Sequence, residues 1–254
     1  MFVCTAGHSF DVARSGYVNL LQPQDRRSLA PGDSEAAVQA RRALFDAGFG
    51  AQLLVVLGDA VAAAEVGAGA RAVDLGCGEG TILAALAARC GLEGFGIDIS
   101  TPAIAAAAKR HAGITWIVSN ADRRLPFEDR TLDLALSIDG RRNPAECARV
   151  LRTGAALVVA VPGADDLVEL RTAVLGEARD QDRGSAVAVE FAAQFELVQR
   201  LEARDRLHLD AVGLEQLALA TYRCGRTRER EALQALAALT VTTQHTILSF
   251  RRRA

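Results

Sequence analysis

The sequence predicts an α/β domain built on a doubly wound parallel sheet with helices on both faces, and three observations carry that prediction. From Arg71 onward, short β-rich runs alternate with helical ones at the spacing that parallel crossovers need. A glycine-rich turn, Gly76-Cys77-Gly78-Glu79-Gly80, joins the first of these runs to the first helix that follows it. A carboxylate, Asp98, then ends the next run, twenty positions after Gly78.

Taken in order, Met1 to about Ala30 is irregular, with Gly7, Gly16 and Pro23, and closes on the turn signal Pro31-Gly32. Asp33 or Ser34 caps a helix that runs through Arg41 and Arg42 to Gly48, and Leu53 to Glu65 is a second helix. Ala72–Leu75 is a strand, Thr81–Arg89 a helix, Gly94–Asp98 a strand, and Pro102–His111 a helix with proline in its first turn. Ile114–Val118, Leu132–Ser137 and Leu157–Val161 are further strands, with helical segments near Ala145–Leu151 and Asp165–Leu175. In the last third, Phe195–Leu201 and Val241–Phe250 suit an antiparallel pair at one sheet edge, with helices near Ala211–Ala220 and Glu229–Ala238 between them.

The 254 residues are 50% hydrophobic and 24% charged with a formal net charge of -2, which supplies a core and excludes disorder. No apolar run approaches the roughly 18 residues of a membrane span, and Met1 to Arg14 lacks the pattern of a secretory signal. The expectation is a soluble, cytoplasmic protein with no membrane partner. Five scattered cysteines without a C-x-x-C imply reduced thiols. Near-neutral charge argues against indiscriminate coating of nucleic acid and leaves local basic faces open. Arg26-Arg27, Arg41-Arg42, Arg123-Arg124, Arg141-Arg142 and the group Arg223, Arg226, Arg228, Arg230 are such faces, although each also fits a solvated helix surface. Trp116, inside an apparent strand, reads as core.

Glycines where a strand turns into a helix let a ligand approach the backbone. A carboxylate at the tip of the second strand can accept both hydroxyls of a ribose. Together they describe a nucleoside-containing cofactor at the carboxyl ends of the strands. The dinucleotide fingerprint is G-x-G-x-x-G, which opens a helix toward a pyrophosphate; here the spacing is G-x-G-x-G, preceded by Asp74. An acid there repels a pyrophosphate and suits the ammonium of a methionine moiety, which favours S-adenosylmethionine over NAD. The cofactor candidates are Asp74, Gly76, Cys77, Gly78, Glu79, Asp98 and Ile99.

With these features the chain resembles the class I S-adenosylmethionine-dependent methyltransferases, whose Rossmann-like sheet it would share. That resemblance adds Asn120 and Ala121, after the third strand of the sheet, as the contact with adenine. A narrower resemblance lies outside the shared fold. His8-Ser9-Phe10-Asp11, Gly16-Tyr17-Val18-Asn19-Leu20-Leu21, Pro31-Gly32-Asp33-Ser34, and Arg41-Arg42-Ala43 through Asp46-Ala47-Gly48 are, in order, similar to the bacterial guanine-N1 methyltransferases of 23S ribosomal RNA. The similarity continues through Val73 to Asp98 and Pro162-Gly163. It implies methyl transfer to guanine N1 of a large-subunit ribosomal RNA hairpin, a homodimer cradling that RNA, RNA contacts at Arg41 and Arg42, and a cofactor contact near Asp166. Asp165 or Asp166 equally suits a helix N-cap.

On this resemblance residues 1–32 are the remnant of the family's N-terminal zinc ribbon and residues 33–254 the methyltransferase domain. Only Cys4 and His8 of the ribbon's metal ligands lie in this sequence, the other half being either lost or upstream of Met1, and two ligands do not close a tetrahedral zinc shell, so no stable zinc is expected in this chain. The loop after the fourth strand also departs from the family: Ser137-Ile138-Asp139-Gly140-Arg141-Arg142-Asn143-Pro144 replaces a short apolar, proline-containing segment. Arg141 and Arg142 could hold RNA there while Asp139 accepts a proton; a solvated loop with Pro144 starting a helix is the other reading. Two further functions stay open, a methyltransferase acting on a small molecule and a non-catalytic RNA-binding protein that keeps the fold.

Overall fold

Strands that are apolar on both sides have to be covered on both faces, and that requirement organises this chain. Its structure, a computed structural model, describes residues 2–3, 7, 9–21, 31–176, 182–221 and 226–254. A small hairpin of β1 (Phe2–Val3) and β2 (Ser9–Phe10) precedes β3 (Tyr17–Asn19), α1 (Glu35–Asp46) and α2 (Ala51–Ala63). Next come β4 (Arg71–Leu75), α3 (Thr81–Cys90), β5 (Glu93–Asp98), α4 (Thr101–Arg110), β6 (Thr115–Val118), β7 (Leu132–Ile138) and α5 (Pro144–Val150). The chain continues through β8 (Leu151–Pro162), α6 (Val168–Leu175), α7 (Arg183–Phe191), β9 (Phe195–Asp210), α8 (Ala211–Ala220), α9 (Thr227–Gln234) and β10 (Ala238–Arg252). No single described helix is long and apolar enough to cross a membrane.

The main sheet has the order β3-β6-β5-β4-β7-β8-β10-β9. The strands from β3 to β8 run parallel, and β10 and β9 add antiparallel at the far edge, as expected from the last third of the sequence. Alternate residues feed two cores. Val73, Leu75, Ile97, Leu157 and Val159 face a cluster with Phe191, Phe195 and Phe250. Ala72, Trp116, Leu134, Leu136 and Val158 face Leu57, Leu83, Leu86 and Ile104 of the helices opposite. Each such Leu, Val or Phe stabilises the fold by about 1.5–3 kcal/mol of transfer free energy.

Four features differ from the sequence reading. Tyr17 to Asn19, placed in an irregular segment, adds an edge strand whose register is Tyr17 with Trp116. β9 runs to Asp210, well beyond its apolar stretch, while β10 spans Ala238–Arg252. At a sheet edge the backbone ladder carries the strand, so polar residues continue it, and the charges along β9 discourage further pairing. α7 has no counterpart in the expectation; Asp182 caps it by accepting from the Ser185 amide at 3.0 Å. Neither Asp165 nor Asp166 caps α6, because the chain turns through Leu167, at φ 52°, before the helix begins.

Candidate functional site

The carboxyl ends of β4, β5 and β7 converge on the glycine loop. After Leu75 the chain reverses, and the amides of Gly76 and Cys77 both donate to the Ile97 carbonyl, at 2.8 and 3.0 Å. Asp98 then ties the two strand ends together. Its Oδ2 accepts from the Gly78 amide at 2.9 Å and its Oδ1 from the Ser100 amide at 2.8 Å. Ser100 caps α4 and donates its hydroxyl to the Asp33 carbonyl at 2.7 Å. The segment Pro31 to Asp33 therefore lies directly against this corner, and a Cβ on Gly32 would meet the Cβ of Ser100 at 2.8 Å and Cγ2 of Ile99 at 3.0 Å.

Two close approaches explain why side chains are missing from the loop. A Cβ on Gly140, in the loop after β7, would overlap the Leu75 carbonyl, and one on Gly76 would sit 3.0 Å from Cα of Gly140. The two loops thus touch backbone to backbone. On the other side, the indole of Trp116 fills the space in front of both Gly80 and Gly96. It is fully buried, as expected for core, and its Nε1 donates to the His111 carbonyl at 3.0 Å.

The electrostatics are unusual for a buried corner. Asp74 is 2% exposed, and its Oδ1 has no hydrogen-bond partner among the described residues. Burial, and then the neighbouring Asp98 carboxylate, push Asp74 up to about 7. Asp98 is itself raised by burial, against the pull of the Ser100 and Gly78 amides. Burial and the same carboxylates push the Cys77 thiol well up, so it is a packing group. Glu79 is buried and turned to its own helix, accepting from the Thr81 amide at 3.3 Å and hydroxyl at 2.9 Å.

Other predicted residues are placed as follows. Asn120 Oδ1 accepts from the Asp122 amide at 3.0 Å, and Ala121 is buried in the core. Asp166 is buried, with Oδ1 accepting from the Gln244 amide at 3.2 Å. Arg41 has both terminal nitrogens engaged inside the protein, one by Asp33 and the other by the Ala220 carbonyl at 2.8 Å, and it lies against Gly78. These contacts hold it between α8, the Asp33 turn and the glycine loop, with part of the side chain still exposed. Arg42 is exposed and 3.7 Å from Asp46. In the loop after β7, Arg142 pairs with Glu190 at 3.0 Å, while Arg141 is exposed and 3.7 Å from Asp122. Asn143 caps α5 and Pro144 begins it. Asp139 has a left-handed φ of 51° and accepts from Nε2 of His245 at 2.9 Å. Cys4, His8, Arg26, Arg27 and Arg223 lie outside the described residues, among which no cluster of three or more potential metal ligands occurs.

Two family models match the chain, one described as a methyltransferase domain over residues 72–156 and one described as RlmA, N-terminal, over residues 1–29. Over 215 residues the chain is 40% identical to the 23S rRNA (guanine(748)-N(1))-methyltransferase of Streptomyces fradiae, which covers 83% of this chain and 75% of that one. The chain belongs to the 23S ribosomal RNA (guanine-N1) methyltransferase family. YxjB of Bacillus subtilis strain 168, provisionally given the same guanine-N1 activity, is 34% identical over 197 residues, 74% of this chain and 67% of that one. Among solved structures, a SAM-dependent methyltransferase from Thiobacillus denitrificans in complex with S-adenosyl-L-homocysteine shares the fold, with a TM-score of 0.50 at 17% identity, covering 79% of this chain and 90% of that one.

Within this methyltransferase, sequence reasoning missed three residues at the site. Gly140 is needed because the Leu75 carbonyl occupies its Cβ position; a glycine directly after a strand and an acidic residue was the available signal. Gly96 was read only as strand, yet it makes room for Trp116. His245 was passed over within β10, although a histidine beside a glutamine in a run of apolar and hydroxylated residues stands out. Its partner lies 106 positions away, a pairing that only the sheet order creates.

Proposed function

We propose that this chain transfers a methyl group from S-adenosylmethionine to a base of large-subunit ribosomal RNA, guanine N1 being the target atom. The observation that carries the reading is the unpartnered, buried Asp74 oxygen beside Asp98 at the turn of the glycine loop. A buried anion without a cation is costly unless a ligand supplies one, and the methionine end of this cofactor does. Asp98 would take the ribose hydroxyls, Asn120 and Ala121 the adenine side, and the backbone from Gly76 to Glu79 the close approach. Ile99 and Asp166 complete this proposed set. The cofactor, when bound, supplies a methyl group already activated by a sulfonium, so the chain's task is alignment of the acceptor base.

On the substrate side, Arg141 stands beside the site on a loop that touches the loop after β6, where the Asn143 side chain reaches the Arg123 carbonyl at 3.5 Å. Arg124 and Arg141 are both largely exposed, which suits phosphate or an unstacked base. Arg41, Arg42 and Arg142 are the remaining RNA candidates. A base held in a hairpin must leave its stack to reach a methyl donor in such a crevice, and Asp139 would take the N1 proton. Residues 1–32 as a ribbon-like segment, and two copies of the chain around one hairpin, belong to the same reading and rest on the family resemblance.

The test is methyl incorporation from labelled S-adenosylmethionine into a large-subunit ribosomal RNA hairpin, with the product base mapped. The expected product is 1-methylguanine, and hairpin affinity falls at least about tenfold between about 50 and 200 mM salt. Protein that binds the cofactor yet methylates no RNA would overturn the reading in favour of a small-molecule acceptor.

Cofactor affinity carries a pH signature. Ionised Asp74 is the form that holds a cation, so affinity rises with pH and levels off above about 7. Below that the apparent Kd increases by about tenfold per pH unit, since each added proton must be expelled on binding. Calorimetry from about pH 5.5 to 7.5 measures this, and Asp74→Asn is expected to flatten the profile. A wild-type profile that is already flat removes Asp74 from the site.

A further inference from the structure

Behind the crevice, the Asp139 carboxylate is 47% exposed and the His245 imidazole that it meets is only 9% exposed. The two come from the end of β7 and the middle of β10, with β8 between them in the sheet. Asp139 donates its amide to the Ala160 carbonyl of β8 at 3.0 Å, and His245 stands opposite Pro162 of the same strand. The dyad therefore spans the intervening strand β8 at its carboxyl end. Asp139 holds a left-handed backbone, a conformation tolerated by Asp better than by most residues and concentrated at functional sites. Its neighbour Gly140 is the residue whose backbone rests on Leu75 and Gly76, so the carboxylate sits one residue from the proposed cofactor loop.

We propose that His245 is a positioning residue for methyl transfer: its Nε2 hydrogen holds Oδ2 of Asp139, which presents Oδ1 to the acceptor base as the proton acceptor. The inference rests on the function proposed above. As the bond from guanine N1 to the methyl carbon forms, the methyl–sulfur bond breaks and sulfur keeps its electron pair. The N1 proton passes to Oδ1 of Asp139 and from there to water. His245 keeps its own hydrogen throughout. The surroundings suit that role: burial alone would lower the imidazole's pKa, but the carboxylates of Asp139 and Asp166 outweigh it and raise it. Gln244, next to His245, is itself pinned, its amide to Asp166 and its side-chain oxygen to the Asp165 amide at 2.8 Å, so β10 gives the imidazole a fixed base.

The experiment compares the full-length wild type with His245→Leu, His245→Gln, Asp139→Asn and the double variant His245→Leu/Asp139→Asn in hairpin methylation, with melting and cofactor binding measured on each. The expected result is a fall in kcat of about 10²-fold for Asp139→Asn and about 30-fold or more for His245→Leu, in the range of a lost general base. KM for RNA and Kd for the cofactor stay within about twofold, which a loosened structure would not allow. His245→Gln, which keeps an N–H donor, recovers most of the rate. The double variant is no slower than Asp139→Asn alone, because His245 acts only through that carboxylate. Multiplicative losses in the double variant, a loss expressed in KM, or a His245→Gln as slow as His245→Leu would each overturn the inference. If His245→Leu does not fold, the pair Asp139→Asn (slow) and His245→Gln (active) decides it. Wild-type activity with an undiminished Asp139→Asn sinks this inference alone, whereas an inactive wild type that binds the cofactor sinks the proposed function with it.

Discussion

Asp98→Ala is expected to raise the Kd for S-adenosylmethionine by about 10²–10⁴-fold. A ribose diol bonded to a carboxylate makes two charge-assisted hydrogen bonds of about 1.5–3 kcal/mol each, and every 1.4 kcal/mol is a factor of ten. The same substitution releases the Gly78 and Ser100 amides that Asp98 now holds at 2.9 and 2.8 Å, so the loop loses its anchor to α4 as well as its ligand contact. Asn is expected to be nearly as poor, since its amide nitrogen accepts no hydrogen bond from either N–H. Titration calorimetry measures the first effect and chemical denaturation the second, which should be about 1–3 kcal/mol per orphaned amide. Binding within threefold of wild type would remove Asp98 from the cofactor site.

Gly80→Ala is expected to destabilise the fold by about 2–5 kcal/mol without touching any group that contacts substrate, combining overpacking with a left-handed backbone. Gly80 has φ 83°, and its new methyl would overlap Cη2 of Trp116 and stand 2.9 and 3.0 Å from two more ring carbons. The indole cannot retreat. It is held by its bond to the His111 carbonyl, and its other edge fills the Cβ position of Gly96. For a chain of this size the loss corresponds to a Tm lower by roughly 5–15 °C. Adding Trp116→Phe is expected to return part of it, since the smaller ring vacates the space under Gly80. An unchanged melting curve for Gly80→Ala would show that the third glycine of the loop is not there for the indole.

These two substitutions mark where the glycine loop was legible and where it was not. Asp74, Gly76, Gly78 and Asp98 announce a nucleoside site because their order and spacing follow a strand, a turn and a second strand, all local in sequence. The same spacing did not show that Gly80 makes room for a tryptophan from β6, or Gly76 for a backbone from the loop after β7. Arg41 and Arg42 were legible as a basic pair with support from the family resemblance, but not the intramolecular partners of Arg41, which meets Asp33 and the Ala220 carbonyl, 179 positions away.

By itself the sequence determined the alternation of strands and helices, the parallel sheet, the glycine-loop corner proposed for the cofactor, and the kinship with the 23S ribosomal RNA guanine-N1 methyltransferases. Those properties are written in hydrophobic period, turn residues and short motifs, which act over a few positions along the chain. Only the tertiary structure decided that β9 outruns its apolar stretch, that Tyr17 to Asn19 joins the sheet, and that His245 meets Asp139. Each depends on which strands become neighbours, and strand order is set by how two cores close over the whole sheet, which no local pattern encodes.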